Sequence, residues 1–221
     1  GGLSVDDVAT IAVGQTKALD AKLSPAQPSD NKVTWASDNE AVAKVDENGV
    51  VTALKAGEVA ITVATTDGRA SAEVIVEVRQ QVEGVELTET EKTVSVDDVF
   101  DLTVNVLPAD AYNKNVVWTS SDEEVLTVAD GKVTALKTGT ATITATSAEN
   151  GDIKAECTVT VIRMAEEIKA EFDKEYLWVG ESGNVLYEVL PEDTTDKSVT
   201  FTSANETIAT VDENGVGTAL K

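Results

Sequence analysis

The side chains that could perform chemistry in this chain of 221 residues are mainly carboxylates. There are 40 aspartates and glutamates against 17 lysines and arginines, a formal net charge of -23, and there is no histidine. Without histidine, a serine–histidine–aspartate or cysteine–histidine nucleophile and an imidazole metal site are excluded. Because the excess negative charge repels phosphate backbones and acidic lipid surfaces, we expect no nucleic-acid partner.

Acidic clusters in predicted loops are the candidates for a metal site. Calcium requires about six to eight oxygen ligands that converge from several positions, and no Asp-x-Asp-x-Asp-Gly loop is present. We therefore predict no metal site and no cofactor. Solvated surface charge is the simpler interpretation of the clusters, and calcium at the domain junctions stays as an alternative. The clusters are Asp6-Asp7, Asp38-Asn39-Glu40, Asp97-Asp98, Asp122-Glu123-Glu124 and Asp212-Glu213.

No catalytic residue is predicted. The serines and threonines lack a partnered base, so none is an activated nucleophile. A carboxylate pair that hydrolyses glycosides needs a cleft, and the short loops predicted below leave no room for one. Cys157, the single cysteine, aligns with Val74 on an inward strand face and is expected to be a small buried hydrophobe. We therefore predict that the protein is not an enzyme.

Tyr176 and Trp178 are the candidate ligand-binding residues. Leu177, between them, aligns with an inward valine, Val94, of an earlier repeat. Strand alternation therefore turns Tyr176 and Trp178 outward together. An outward Tyr-x-Trp pair is typical of a surface that stacks on sugars or contacts a protein. The alternative is that the pair packs against the domain junction or against the last two strands, which the third copy is expected to lack.

The residues considered so far belong to a sequence that contains an internal repeat. Three prolines lie 83 residues apart, and an aromatic residue follows each of them ten residues later. The prolines are Pro25, Pro108 and Pro191, and the aromatic residues are Trp35, Trp118 and Phe201. So many matched positions indicate three copies of one unit.

Each copy is predicted to consist of β-strands. Leu19, Ala21 and Leu23 alternate with polar or small residues, which is the period of a strand with one buried face. Asn48-Gly49 and Asp130-Gly131 supply the positive φ of tight hairpin turns. Seven short strands in about 80 residues predict a two-sheet sandwich. We expect Trp35 and Trp118 at the centres of two cores, and a looser third core around the smaller ring of Phe201.

The sequence between the aromatic residue and the next glycine carries a family resemblance. Residues 33–57, which begin Val-Thr-Trp-Ala-Ser-Asp and end Thr-Ala-Leu-Lys-Ala-Gly, resemble the bacterial immunoglobulin-like group 2 (BIG2) domain. Residues 117–139 and 201–221 resemble the same family. The resemblance implies extracellular modules of bacterial and phage surface proteins, including adhesins and spacers of secreted glycan-degrading enzymes. It implies no catalytic residues.

The predicted fold is all-β, with three tandem immunoglobulin-like β-sandwiches in an elongated rod. The predicted domains are residues 1–79, 80–163 and 164–221, joined through two short junctions, 79–84 and 162–167. Lys221 aligns with Lys55, after which the first copy continues to Arg79, so the third domain is expected to lack its last two strands. Either the biological chain continues, or a neighbouring chain donates strands. The protein is accordingly predicted to be a monomer or to exchange strands at the third domain.

Together these expectations predict that the chain is a non-enzymatic fragment of an extracellular bacterial surface protein. It would serve as a stalk or spacer and as a cell-adhesion module. Its partner would be a host or cell-surface protein or glycan. No apolar stretch reaches the roughly 18–20 residues that span a bilayer, so no membrane insertion is expected. The alternatives are a carbohydrate-binding accessory region of a secreted glycan-active enzyme and a phage surface domain.

Overall fold

The structure is a computed structural model that describes residues 2–6, 10–24 and 32–221. Pro25 and Asp7, which the sequence analysis singled out, lie outside the described residues. The regular elements of the described part are all β-strands, and none of its residues belongs to a helix that could cross a membrane. The strands are β1 (Gly2–Val5), β2 (Thr10–Ala12), β3 (Thr16–Ala18), β4 (Ala21–Ser24), β5 (Val33–Ser37), β6 (Ala43–Val45), β7 (Val50–Ala53), β8 (Gly57–Thr65), β9 (Ser71–Arg79), β10 (Gly84–Leu87), β11 (Glu91–Ser95), β12 (Val99–Asp101), β13 (Val104–Leu107), β14 (Val116–Ser120), β15 (Leu126–Ala129), β16 (Lys132–Ala135), β17 (Gly139–Ser147), β18 (Lys154–Ile162), β19 (Glu167–Phe172), β20 (Ser182–Leu190), β21 (Ala209–Val211) and β22 (Val216–Ala219).

The chain forms two compact units. The first comprises Gly1–Thr88, Val104–Val117 and Ala145–Ala155, and the second comprises Glu89–Thr103, Trp118–Thr144 and Glu156–Lys221. The predicted all-β architecture of tandem immunoglobulin-like sheets is confirmed. The predicted domain boundaries after residues 79 and 163 stay predictions.

In the first unit, a long hairpin organises the main sheet. Strands β8 and β9 pair antiparallel from Gly57 with Val78 to Ala64 with Ser71. On one side β5 pairs antiparallel with β8, and on the other β2 pairs parallel with β9, which gives the order β2-β9-β8-β5. The other sheets of this unit have the orders β3-β7-β6, β1-β4 and β10-β13.

The core of the first unit consists of aliphatic side chains at alternate strand positions. Val59 and Ile61 of β8 and Val76 of β9 are almost fully buried. They pack with residues of the facing sheet, including Val51 and Ala53 of β7. This alternation is the predicted one, and burying each such side chain contributes on the order of 1.5–3 kcal/mol.

The second unit repeats this plan and adds a third group of strands. Its sheets have the orders β11-β18-β17-β14, β12-β16-β15 and β19-β20-β22-β21. Leu126, Ile143 and Cys157 are fully buried in it, so Cys157 occupies the inward position expected from its alignment. Burial raises the pKa of the Cys157 thiol, which keeps it protonated and unreactive at neutral pH.

The tryptophans lie at the margins of the cores, and the expectation that they occupy the centres is wrong. Trp35 is only partly buried against its core. The turn between β6 and β7 lies against the indole, and Gly49 in that turn has a φ of +79°. A Cβ on Gly49 would lie 2.8 Å from the Trp35 ring. Gly131 covers Trp118 and Gly215 covers Phe201 in the same way.

The third group of strands, residues 164–221, has a thin core, as expected from Phe201. The structure describes this whole segment, and Val189 is its only aliphatic side chain that is less than a tenth exposed. Four strands form in it, β19 to β22. No residue of the segment pairs as the counterpart of β8 or β9.

Replacing Gly131 by alanine should destabilise the second unit by about 1–3 kcal/mol. The φ of Gly131 is +82°, and the added Cβ would lie 2.8 Å from the carbonyl oxygen of Leu102. Amide hydrogen exchange in β17 measures the effect. Gly68 has a φ of +69° and no atom within 4 Å of an added Cβ, so Gly68→Ala measures the cost of backbone strain alone. Gly151→Ala introduces neither backbone strain nor a close contact. Equal exchange in the Gly131 and Gly151 variants would contradict the role given to this turn.

Candidate functional site

The two aromatic residues selected from the sequence lie side by side on the surface of the second unit. Tyr176 is 69% exposed and Trp178 is 70% exposed. Their rings meet edge to face, with 6.1 Å between the centroids and 89° between the planes. Both belong to the connection between β19 and β20, where the chain has no regular structure. The pair presents flat apolar surface to solvent, which suits stacking on a sugar or packing against a protein.

The base of this connection is closed by Asp173. Its Oδ1 accepts the backbone N–H of Asn184 and its Oδ2 accepts the Asn184 side-chain amide, both at 2.7 Å. The side-chain bond first, and then the backbone bond, lower the pKa of the Asp173 carboxyl. Hydrogen bonds to the charged form of a carboxylate stabilise that form. Asp173 is thus an ionised anchor for the aromatic connection.

The far end of the connection is held by backbone contacts to β22. The N–H of Gly180 donates to the carbonyl of Ala219 at 2.8 Å, and the N–H of Ala219 donates to the carbonyl of Glu181 at 3.0 Å. The Trp178 N–H donates to Glu181 Oε2 at 3.1 Å. The aromatic pair is therefore attached at both ends to paired strands, which limits the entropy that a ligand would have to remove.

Aspartates of two of the acidic clusters, Asp122 and Asp212, cap turns. Asp212 Oδ1 accepts the backbone N–H groups of Asn214 and Val216 at 2.9 and 2.8 Å. Asp122 Oδ1 accepts the N–H of Glu124 at 2.9 Å. Among residues 2–6, 10–24 and 32–221, no three carboxylate or cysteine side chains converge as a metal ion would require. These carboxylates satisfy backbone donors, which accounts for their positions in turns.

Two further contact sites were not predicted, and they lie at the predicted junctions. The first joint is formed by residues 79–83 against residues 107–112, and the second joint by residues 163–166 against residues 190–195. Each joint contains the same two backbone hydrogen bonds, and their partners are related by 83 residues. The bonds are Tyr112 N–H to Gln80 O at 2.8 Å and Glu83 N–H to Leu107 O at 2.8 Å in the first joint, and Thr195 N–H to Arg163 O at 2.9 Å and Glu166 N–H to Leu190 O at 2.8 Å in the second.

Side chains reinforce the first joint through an aromatic contact. The Arg79 guanidinium lies over the Tyr112 ring, 3.8 Å from its centroid. Arg79 Nη2 also donates to Glu77 Oε2 at 2.8 Å, and this bond lowers the pKa of Glu77. The Val82 N–H donates to Glu149 Oε2 at 3.2 Å. A cation over a ring contributes on the order of 0.5–1 kcal/mol at a partly exposed site.

The second joint uses ionic contacts instead. The Arg163 N–H donates to Thr195 Oγ1 at 2.8 Å. Its guanidinium reaches two carboxylates, Asp193 Oδ2 at 3.3 Å and Asp97 Oδ2 at 3.9 Å. Asp97 and Asp193 come from different sequence copies, so one arginine connects residues 97, 163 and 193. Partly exposed pairs of this kind contribute about 0–1 kcal/mol each.

Comparison with known proteins matches these strands to one family. The model of the bacterial Ig-like domain (group 2) matches residues 4–76, 81–159 and 173–221. The three matched segments cover most of the chain and agree with its three sequence copies.

Relatives of this chain occur in several kinds of protein. It is 37% identical over 161 residues to an uncharacterized protein of Clostridium acetobutylicum, covering 72% of this chain and 17% of the relative. It is 37% identical over 161 residues to an Ig-like virion protein of Serratia phage KSP90, covering 70% of this chain and 62% of the relative. It is 47% identical over 93 residues to an alpha-L-arabinofuranosidase of Bifidobacterium longum subsp. longum, covering 42% of this chain and 9% of the relative. The chain thus spans less than two thirds of each of these relatives.

The Asp173 anchor gives a pH prediction. Because the folded pKa of Asp173 is lowered, its contribution to stability is complete above the unfolded value of about 3.9 and is lost as the pH falls through the folded pKa. In a carboxyl-carbon NMR titration, Asn184→Ala should raise the pKa of Asp173 toward the unfolded value. Asp196, whose pKa is lowered by Ser198, should titrate as in the wild type. An unchanged pKa of Asp173 in the variant would contradict the assignment of Asn184 as its partner.

Proposed function

Because the chain belongs to the bacterial Ig-like domain (group 2) family, we propose that it is a non-enzymatic spacer in an extracellular bacterial surface protein. The single observation that carries this proposal is the repeated pair of backbone hydrogen bonds at the two joints. A spacer has to hold each domain at a defined angle to the next. Linker residues with paired backbone groups cannot rotate as a free coil does.

The backbone hydrogen bonds stabilise the two joints more than the charged side chains do. A hydrogen bond contributes on the order of 1 kcal/mol net, so two bonds per joint favour the docked linker by about 2 kcal/mol. The ion pairs of Arg163 add less because they are partly exposed. The docked state is therefore favoured roughly 30-fold over a free linker. Such a preference is enough to transmit orientation from one domain to the next.

The net charge of -23 supports the extracellular spacer role. Like charges keep neighbouring copies of the chain apart and keep an array of domains soluble. This repulsion weakens as ionic strength rises, since the screening length falls to about 8 Å in physiological salt. The relative in a virion supports a location outside the cell.

We further propose that the chain is a cell-adhesion module. The partner would be a host or cell-surface protein or glycan that packs on Tyr176 and Trp178. Both rings are exposed, and their connection is attached to paired strands at each end. Exposed aromatic pairs with restricted motion are typical centres of binding energy at interfaces.

A second candidate function is favoured by the same aromatic pair. In a carbohydrate-binding accessory region of a secreted glycan-active enzyme, the rings would stack on a sugar. The similarity to an alpha-L-arabinofuranosidase supports this candidate. A phage surface domain is supported by the virion relative.

Residual dipolar couplings test the spacer proposal at the first joint. The segments 32–78 and 84–88 with 104–107 should share one alignment tensor, because the first joint fixes the linker. Tyr112→Ala removes the ring under Arg79 and should speed amide exchange of residue 112 by about fivefold, corresponding to about 1 kcal/mol. Arg69→Ala, at a strongly exposed arginine that pairs with Asp67, is the matched control. Independent tensors in the wild-type chain would overturn the spacer proposal.

Glycan-array binding tests whether the aromatic pair is a sugar site. If the protein binds carbohydrate, Trp178→Ala should reduce the bound signal by about tenfold or more, because the stacking face is lost. Leu136→Ala removes a half-exposed aliphatic side chain of the second unit and should leave the signal unchanged. Binding that survives Trp178→Ala would exclude this pair as the sugar site.

A further inference from the structure

The sequence Glu-Asn-Gly occurs three times in the chain, and each time it lies in a turn between two strands. The asparagines are Asn48, Asn150 and Asn214. In an Asn-Gly sequence the backbone nitrogen of glycine can attack the side-chain amide of asparagine, because glycine has no Cβ to block the approach. Since the tripeptide is the same at all three sites, a difference in reactivity between them has to come from the fold.

The attacking nitrogen is held in place at two of the three sites. The Gly49 N–H donates to the carbonyl of Asp46 and the Gly215 N–H donates to the carbonyl of Asp212, each at 3.1 Å. Both glycines are buried, and an aromatic ring lies against each of them. Such a nitrogen cannot turn toward the neighbouring side chain without losing its hydrogen bond and its packing. The fold therefore protects Asn48 and Asn214.

At the third site the same atoms are free to react. Asn150 and Gly151 are both exposed, and the Gly151 N–H donates to none of the residues that the structure describes. Asn150 Oδ1 accepts the Asp152 N–H at 3.0 Å. This donor stabilises the negative charge that develops on Oδ1 when a nitrogen attacks the adjoining Cγ. The side-chain oxygens of Asn48 and Asn214 accept no such bond from the described residues.

From these observations we infer that Asn150 is a site of spontaneous deamidation. The Gly151 nitrogen gives up its proton and forms a bond to Cγ of Asn150, which closes a succinimide ring, and the side-chain nitrogen leaves with that proton as ammonia. A water molecule then opens the ring. Cleavage between the Gly151 nitrogen and Cγ gives aspartate with the normal backbone. Cleavage between the same nitrogen and the original carbonyl carbon gives isoaspartate, whose backbone runs through the side chain.

The isoaspartate product loosens the first joint. In that product the carbonyl of residue 150, which accepts the Ile153 N–H at 3.0 Å, becomes part of a free carboxylate, and the backbone gains a methylene group. Ser147 Oγ, which accepts the N–H groups of Glu149 and Asn150, then loses its fixed partners. Glu149 is the residue that accepts the Val82 N–H at the joint. The deamidation itself does not depend on the spacer role, because its chemistry is confined to the turn.

Mass spectrometry of the aged protein compares the three sites in one sample. The folded chain is incubated at mildly alkaline pH, where the backbone nitrogen loses its proton more readily, and samples are taken over several weeks. Cleavage after lysine and arginine separates the sites into the peptides 45–55, 138–154 and 198–221. We expect Asn150 to convert at least about tenfold faster than Asn48 or Asn214. In the denatured chain the three rates should agree within about twofold, because the protection by the fold is gone.

Two variants test the chemistry and its consequence. Gly151→Ala should slow the conversion of Asn150 by about tenfold, because its methyl group hinders the attack, and no atom lies close enough to strain the turn. Gly68→Ala, at another exposed glycine, should leave the rate unchanged. In the isoaspartate fraction the Val82 amide should exchange about fivefold faster than in the fresh protein. Asn150→Asp carries the new charge on a normal backbone and should exchange at Val82 like the wild type.

Three results would overturn the inference. The first is a folded chain in which Asn48 or Asn214 converts as fast as Asn150. The second is an unchanged rate at Asn150 in the Gly151→Ala variant, which would mean that the Gly151 nitrogen is not the nucleophile. The third is unchanged Val82 exchange in the isoaspartate fraction, which would separate the turn from the first joint.

Discussion

The structure depends on the coverage of one aliphatic sheet face by another. Each strand of the repeat is apolar on one side only, so it is stable only when a second layer removes that side from water. In the first unit the nine-residue strands β8 and β9 supply much of this second layer, and they also pair with β5 and β2. One hairpin therefore supplies packing and hydrogen bonds together. The start of this hairpin also covers Val42, since Gly57 lies against its side chain.

The strands and their inward residues could be predicted because their signal is local. Alternation shows within a few residues, and a repeat places Cys157 on an inward face by comparison with Val74. The position of the tryptophans could not be predicted in this way. The contact between the turn at Gly49 and the Trp35 ring is likewise a feature of the folded chain that no spacing between the two residues expresses. Glycine was recognised as a turn former, but its second role as the cover of a ring follows only from the three-dimensional path.

The contacts at the two predicted junctions were missed for a related reason. Their common feature is a pair of backbone hydrogen bonds, and backbone groups leave no mark on residue type. Tyr112 and Thr195 occupy the same repeat position, yet one offers a ring to Arg79 and the other offers a hydroxyl to Arg163. The shared backbone bonds fix how each linker is held, and the differing side chains decide whether the joint has an aromatic or an ionic contact. Added salt should therefore weaken the ionic contacts of the second joint more than the aromatic contact of the first joint.

Residues 174–178 form no strand, yet their side chains keep the alternation that the sequence analysis expected of one. In a strand, neighbouring side chains point to opposite sides. Leu177 lines an apolar cavity together with Phe172, Val185 and Phe201, whereas Tyr176 and Trp178 are exposed. The outward pair could be selected from the sequence because alternation is a local pattern. The contacts that hold the connection could not, because Asp173 meets Asn184 and Gly180 meets Ala219 only in the folded chain.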